Sequence, residues 1–358
     1  MTQIAAFSIE RLEYLSPQGE ALGELPAFAK NRDILVNLYR TMVLNRTFDK
    51  KAIALQRTGK MGTYASTLGM EAIGTAIGAA LKPEDVLVPF YRDYAAQIQR
   101  GTEMTDIYRY WGGDERGSAN PHSKQDMPIS VPIASQCLHA SGIATAFKLR
   151  NEARVALVTC GDGGTSEGDF YEAINVAGAW QLPVVFVVNN NQWAISVPLS
   201  KQTRCQTIAQ KAIAAGIDSL QVDGNDIIAV FDAVSRAIEN ARNHHKPTLI
   251  EATTYRLCDH TTADDASRYR PQAEVDEAWA LEPISRLQKY LTAQGWWDES
   301  AEQAWQTDCQ GQVEQAVERY LATPPAPVSD MFDYHFANMP ASLLEQRADA
   351  LEEETWGA

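Results

Sequence analysis

Two rhythms of apolar residues run through this chain. Val155–Cys160 and Val184–Val188 are short, nearly unbroken apolar runs rich in β-branched residues, the pattern of strands buried on both faces. Between them Phe170, Ile174, Ala177 and Trp180 recur at helical spacing, so Ser166–Trp180 reads as a helix. Strand, helix and strand make a βαβ unit, which brings the carboxyl ends of both strands to one edge of a parallel sheet. The same patterns predict further strands over Val86–Pro89, Ser219–Asp223 and Thr248–Thr254. Helices are predicted over residues 28–59, ending at Gly59, and over Pro132–Lys148, Gln206–Ala215 and Asp226–Asn243. Val275–Leu321 is mainly helical by the same criterion. The alternation implies an α/β fold with a doubly wound, mainly parallel sheet whose ligand crevice lies at the strand C-termini.

The ends of the chain read differently. Residues 1–27 form an arm with a turn at Ser16–Gly19, of the kind that packs on a neighbour. Pro324–Pro327 marks a break before an acidic tail, in which Glu345 and Glu352–Glu354 read as a solvated helix face. The expected division is an arm and helix over 1–59, an α/β core over 60–274, and a helical C-terminal region with its tail over 275–358. No internal repeat is visible.

Composition narrows the function classes. With 358 residues, 45% of them hydrophobic, the chain can bury a large core. A formal net charge of -15 disfavours a sequence-independent grip on nucleic acid, which needs clustered Lys and Arg, and suits a basic docking partner. No apolar stretch of membrane-spanning length occurs, and Met1–Glu10 lacks the basic and apolar blocks of a signal peptide, so a cytoplasmic location without membrane attachment is expected. Cys137, Cys160, Cys205, Cys258 and Cys309 contain no Cys-x-x-Cys pair; neither a disulfide framework nor a zinc site is indicated.

Chemistry concentrates where the two central strands end. Gly161-Asp162-Gly163-Gly164 closes the first, and Asn189-Asn190-Asn191 closes the second. Glycines let backbone amides approach an anion closely, and the following helix N-terminus adds partial positive charge. Magnesium takes oxygen ligands and usually keeps one or two protein ligands beside phosphate and water. The Asp162 carboxylate, the Asn191 side-chain oxygen and the Trp193 carbonyl would complete such a shell around a diphosphate. Gly-Asp-Gly alone is an ordinary turn, and Asn clusters are common in loops. It is the pair, on one βαβ frame, that points to a magnesium-diphosphate cradle.

Gly161–Asn175 and Val187–Ser196 together resemble the thiamine diphosphate motif of 2-oxo acid dehydrogenases, and the chain is similar to their alpha subunit. The likeness runs from about Leu35 to Tyr290 and includes Phe90–Asp93, Ile129–Gln136 and Thr254–Asp265. It implies the diphosphate-binding half of the thiamine diphosphate-binding fold, with helical extensions at both ends, and thiamine diphosphate and Mg2+ as cofactors. Tyr91 and Arg92 would bind the diphosphate, Arg92 with its bidentate fork. Val131 and Ile133 would hold the cofactor rings, Ile133 as the wedge that bends them. Gly163 and Gly164 would line the diphosphate, and catalytic His260, in the hydroxyl-rich loop Asp259–Thr262, would handle substrate or intermediates, a histidine being able to donate or relay protons. Arg256 with Asp264 and Asp265 would order that loop through ionic ties. In some relatives a serine of this loop is a phosphorylation site; Thr261 and Thr262 stand there in this chain, with Ser267 nearby.

The resemblance also implies what the chain lacks. The glutamate that activates the cofactor belongs to a second, beta subunit in this family, and one such core leaves no room for the missing half. A beta subunit in an α2β2 heterotetramer and a lipoyl-bearing acyltransferase are the implied partners, with a small 2-oxo acid as substrate. Val197–Thr203 and Ala209–Ala212 look most like bacterial pyruvate dehydrogenase alpha subunits, so pyruvate is the expected substrate. Ile129–Gln136 and Asp264–Tyr269 also resemble the branched-chain enzymes, which makes 3-methyl-2-oxobutanoate the alternative. A noncatalytic cofactor-binding assembly subunit is the reading from another class; intact Asp162, Asn191, Arg92 and His260 argue against it.

Overall fold

The computed structural model describes residues 1–356, with side chains described through Glu352. Among the described residues eight strands form: β1 Arg11–Leu12, β2 Val86–Val88, β3 Ala156–Gly161, β4 Val184–Asn190, β5 Trp193–Ala194, β6 Val197–Pro198, β7 Asp218–Asp223 and β8 Thr248–Thr253. Six of them make one parallel sheet in the order β1-β7-β8-β4-β3-β2, while β5 and β6 pair as a short antiparallel hairpin. The main helices are α1 Arg32–Arg57, α2 Glu71–Ala80, α3 Tyr94–Gln99, α4 Met104–Trp111, α5 Ser135–Leu149, α6 Gly168–Trp180, α7 Leu199–Gln202, α8 Lys211–Ala215, α9 Ile227–His244, α10 Gln272–Trp279, α11 Pro283–Ala293 and α12 Glu299–Leu321.

Burial on both faces explains why the central strands read as continuous apolar runs. Val185 and Val187 of β4 pack with α1, α2 and α9, whereas Val184, Phe186 and Val188 face α5, α6 and α8. Each of these fully buried side chains contributes about 1.5–3 kcal/mol relative to exposure. The sheet is therefore doubly wound, as the pattern predicts. Among the described residues no helix is long and apolar enough to cross a membrane.

Several boundaries differ from the sequence reading, for local reasons. The helix expected over Pro132–Lys148 begins only at Ser135, because Ala134 sits at φ 66° and Pro132 and Ile133 stay outside it. A 3-10 turn over Gly163–Ser166 precedes α6, and Gln206–Ala215 splits into a 3-10 turn, Ile208–Gln210, and the short α8; a capping box between Thr207 and Gln210 opens that turn. The arm contains an unexpected edge strand. In β1, Arg11 pairs with Gln221 and Leu12 with Val222, and Asp226 fixes the following turn by accepting from the Tyr14 and Leu15 amides at 2.6 and 2.7 Å. The other Asp226 oxygen caps α9 through Ile228 and Ala229, so one carboxylate anchors two elements. A further helix spans Ala341–Trp356, with Glu345 exposed as expected; the side chains of Glu353 and Glu354 in the acidic run lie outside the described residues.

Candidate functional site

The carboxyl ends of β3 and β4 lie side by side, with Gly161 paired to Asn189. Asp162 follows at once and donates its amide to the Asn189 carbonyl at 3.3 Å. The Gly163–Ser166 turn is closed by Thr165, whose amide and hydroxyl both donate to the Asp162 carbonyl, at 3.1 and 2.7 Å. A Cβ on Gly163 would stand 2.6 Å from the Ala194 Cβ, so the turn can seat under the β5–β6 hairpin only without a side chain there. Gly164 is less constrained: its Cβ would meet Cys160 and Ile133 at ordinary contact distances.

These elements border a cleft of about 210 Å³. Tyr91, Arg92, Ile133, Asp162, Gly163, Gly164, Asn191, Trp193 and His260 all line it. Val131 does not; its side chain is half exposed outside the lining. The cleft carboxylates, Asp162 and Glu167, both belong to the glycine turn or its immediate end.

The donor set suits a hard cation with an anion beside it. Asp162 is 1% exposed and forms no salt bridge with a described residue; burial raises its pKa, opposed by the Gln202 amide that donates to Oδ2 at 2.8 Å. A buried carboxylate in that state gains from a metal. The Asn191 amide nitrogen lies 3.6 Å from the Met70 sulfur, which turns Oδ1 the other way, toward the Trp193 amide at 3.2 Å. The Trp193 carbonyl accepts from Arg256 at 3.3 Å and has a second lone pair. No group of three or more His, Cys, Asp or Glu side chains gathers as a metal site among the described residues.

Two buried guanidinium groups stand beside His260, and one of them, Arg92, lines the cleft. Arg92, 4% exposed, donates to the Ser66 carbonyl and, at 2.6 Å, to the His260 carbonyl. Arg256, fully buried, donates to the Trp193 and Ile195 carbonyls and to the Tyr269 hydroxyl. All these partners are neutral, so both charges remain uncompensated by a salt bridge among the described residues. That fits an anionic occupant.

His260 takes its state from the same two cations. Its Nδ1 lies 3.2 Å from an Arg92 nitrogen and 3.4 Å from an Arg256 nitrogen, both of which can only donate. Nδ1 is therefore the acceptor, and the neutral ring carries its hydrogen on Nε2. Burial, then Arg92, then Arg256 push its pKa down to about 4, with Asp264 opposing. The loop is not ordered by direct ionic ties from Arg256 to Asp264 and Asp265, contrary to expectation. Tyr269 stands between, accepting from Arg256 at 2.8 Å and donating to Asp264, which also accepts the His260 amide at 2.8 Å. Asp265 instead caps Ser267 and reaches Arg268 at 3.8 Å.

Strained backbone clusters here too. Ala134, Gln192 and Ile195 have φ of 66°, 73° and 54°, a region that non-glycine residues enter at a cost. Sequence reasoning missed these positions because none is glycine. It also missed Gln202 and Tyr269, whose contacts are made across the fold; Gln202 lies in the Val197–Thr203 stretch singled out for its resemblance, but nothing in its neighbours announces a partner 40 residues away.

Residues 39–329 match the Dehydrogenase E1 component family. Among similar proteins are the pyruvate dehydrogenase E1 component alpha subunits of Acholeplasma laidlawii, 40% identical over 88% of this chain and 92% of the relative, and of Bacillus cereus, 37% identical over 99% and 96%. That of Bacillus subtilis is 39% identical over 93% of this chain and 90% of the relative. On a matching α/β fold and similarity along nearly its whole length, this chain belongs to the Dehydrogenase E1 component family, whose cofactor is thiamine diphosphate.

Proposed function

We propose that this chain is the alpha subunit of a 2-oxo acid dehydrogenase acting on pyruvate, with thiamine diphosphate and Mg2+ in the cleft between Asp162, Asn191, Arg92 and His260. The observation that carries the reading is that one cleft at the strand ends brings together Asp162 and Arg92, both buried and neither in a salt bridge with a described residue. The names of the relatives above support pyruvate as the substrate.

Asp162, the Asn191 Oδ1 and the Trp193 carbonyl would hold the metal, and the Gly163–Gly164 backbone with Arg92 and Tyr91 would take the diphosphate. Ile133, half exposed at the cleft wall, would pack against the cofactor rings. Bound thiamine diphosphate would supply the nucleophilic carbon for the 2-oxo group and the electron sink through which carbon dioxide leaves. Neutral His260 would donate a hydrogen bond from Nε2 to the developing oxyanion, its tautomer held by Arg92 and Arg256.

Both carboxylates lining the cleft lie on the metal side, at Asp162 and Glu167. The family resemblance assigns activation of the opposite end of the cofactor to a beta subunit, in an α2β2 assembly that passes the acetyl group to a lipoyl-bearing acyltransferase. The test is reduction of an artificial electron acceptor by the chain alone and with its beta subunit, using pyruvate and 3-methyl-2-oxobutanoate in parallel. Preference for pyruvate that appears only with the beta subunit is expected. Full-rate decarboxylation by the chain alone would overturn the split site, and preference for the branched substrate would overturn pyruvate.

A further inference from the structure

Beside the glycine turn another buried cation stands without a salt bridge to any described residue, and it does not line the cleft. Lys211 opens α8 on the far side of the glycine turn and is 5% exposed. Its ammonium donates to the Thr165 carbonyl at 2.5 Å and to the Thr165 hydroxyl at 2.9 Å, and the Tyr171 ring centroid lies 5.1 Å away on another side. Having accepted from Lys211, the Thr165 hydroxyl has its own hydrogen free to give. It gives it to the Asp162 carbonyl at 2.7 Å. Lys211, Thr165 and Asp162 thus form one directed chain of donors that ends on the residue offering the carboxylate to the metal.

A neutral donor could tie the same two Thr165 oxygens. Removing an ammonium from water costs much more than removing an amide or hydroxyl, so a lysine used only as a tie would be the expensive choice. Its charge acquires a use when the turn holds an anion. In a low-dielectric interior an ammonium one residue behind the turn acts on that anion with little screening, and its donation to Thr165 polarises the hydroxyl that fixes Asp162.

We propose that Lys211 is a positioning residue of the diphosphate turn: through Thr165 it sets the placement of Asp162, and its buried charge favours the anion that the turn receives. This rests on the thiamine diphosphate reading of the cleft. Lys211 touches neither cofactor nor substrate, so its loss should fall on cofactor affinity and on the half-saturating cofactor concentration rather than on turnover at saturation.

The experiment is calorimetric titration of the cofactor-free α-plus-β complex with thiamine diphosphate in the presence of Mg2+, alongside thermal melting without cofactor. Three variants separate the possibilities: Lys211→Met removes donor and charge, Lys211→Gln keeps a neutral donor, and Lys211→Arg keeps the charge. Affinity about tenfold weaker in both Lys211→Met and Lys211→Gln, recovered largely in Lys211→Arg, is the expected result. If Lys211→Gln binds like the unaltered complex, the tie alone suffices and the proposal falls. The same holds if Lys211→Met lowers the melting temperature but leaves affinity intact, since the residue is then only structural. Absence of thiamine diphosphate binding by the unaltered complex would remove the cofactor reading itself, an outcome distinct from equal binding by all four proteins.

Discussion

The Gln202 side-chain amide donates to Oδ2 of Asp162 at 2.8 Å, and this neutral contact stands where a buried carboxylate would ordinarily find a cation. Because burial raises the Asp162 pKa, its ionised form is disfavoured in the folded chain. The cost is relieved as pH falls toward the unfolded carboxylate value and is present in full above the folded one. Asp162→Asn should therefore raise the melting temperature of the cofactor-free chain by about 1–3 °C at neutral pH. The same substitution should abolish the further rise that thiamine diphosphate with Mg2+ produces. Scanning calorimetry with and without cofactor checks both; a variant that keeps the cofactor-dependent rise would remove Asp162 as a metal ligand.

His260 is the clearest case for pH dependence. Its folded pKa of about 4 lies below the usual 6.5, so the unfolded chain takes up a proton that the folded chain refuses. Stability is lost as pH falls from 6.5 through 4, by at most about 3 kcal/mol before discounting for partial exposure. His260→Ala should lose turnover by about 10²–10⁴-fold at neutral pH and should be more stable than the unaltered chain at pH 5, relative to pH 7.5. Proton NMR of the ring gives the pKa directly. A value near 6.5 in the cofactor-free chain would show that burial and the charges of Arg92 and Arg256 do not set its state.

The central strands and the glycine turn were legible because their signals are local. Val184–Val188 can be little else but a strand buried on both faces, and the glycines mark where the chain turns toward a ligand. Residues whose roles depend on a distant partner were not legible. Arg11–Leu12 is too short to show a period, and it becomes a strand only because β7 offers an open edge. Tyr269 intervenes between Arg256 and Asp264 through backbone that returns 13 residues later, so a reading by charge alone drew a direct tie. Lys211 reads as the polar residue of an alanine-rich helix; only the packing of α8 against α6 shows that it is buried.

Asp93, beside Arg92, carries a separate pH signature. Its Oδ2 accepts from the Phe90 amide at 3.1 Å and from Thr159, while Oδ1 is buried with no hydrogen-bond partner among the described residues, and burial pushes its pKa up to about 7. The folded chain therefore holds a proton that the unfolded chain has released above about 3.8, and stability declines as pH rises through 7. Asp93→Asn keeps an oxygen for Phe90 and Thr159 and removes the charge. It should gain on the order of 1–3 kcal/mol more at pH 8 than at pH 5. Denaturant unfolding at the two pH values tests this, and an equal effect at both would sink it.

Ile195 turns the β5–β6 hairpin at φ 54° with its side chain 56% exposed at the cleft. For a β-branched residue this conformation costs roughly 1–2 kcal/mol, and asparagine, which tolerates it, would avoid most of that. The half-exposed side chain recovers only part of the cost through burial. Its carbonyl does more, since it accepts from Arg256 at 2.8 Å, but any residue supplies a carbonyl. Ile195→Asn should therefore stabilise the cofactor-free chain by about 0.5–1 kcal/mol, whereas Ile195→Gly should be near neutral because glycine adds unfolded-state entropy. If the isoleucine is kept for the apolar wall it gives the cleft, Ile195→Asn should also weaken thiamine diphosphate binding by about threefold or more, the loss expected from removing a partly buried aliphatic contact. Ile195→Val, which preserves both the strain and most of the wall, should stay close to the unaltered chain in both measurements. Melting curves and cofactor titrations on the three variants separate the terms: an asparagine variant that is more stable and binds equally well would leave the strain without a function at this site.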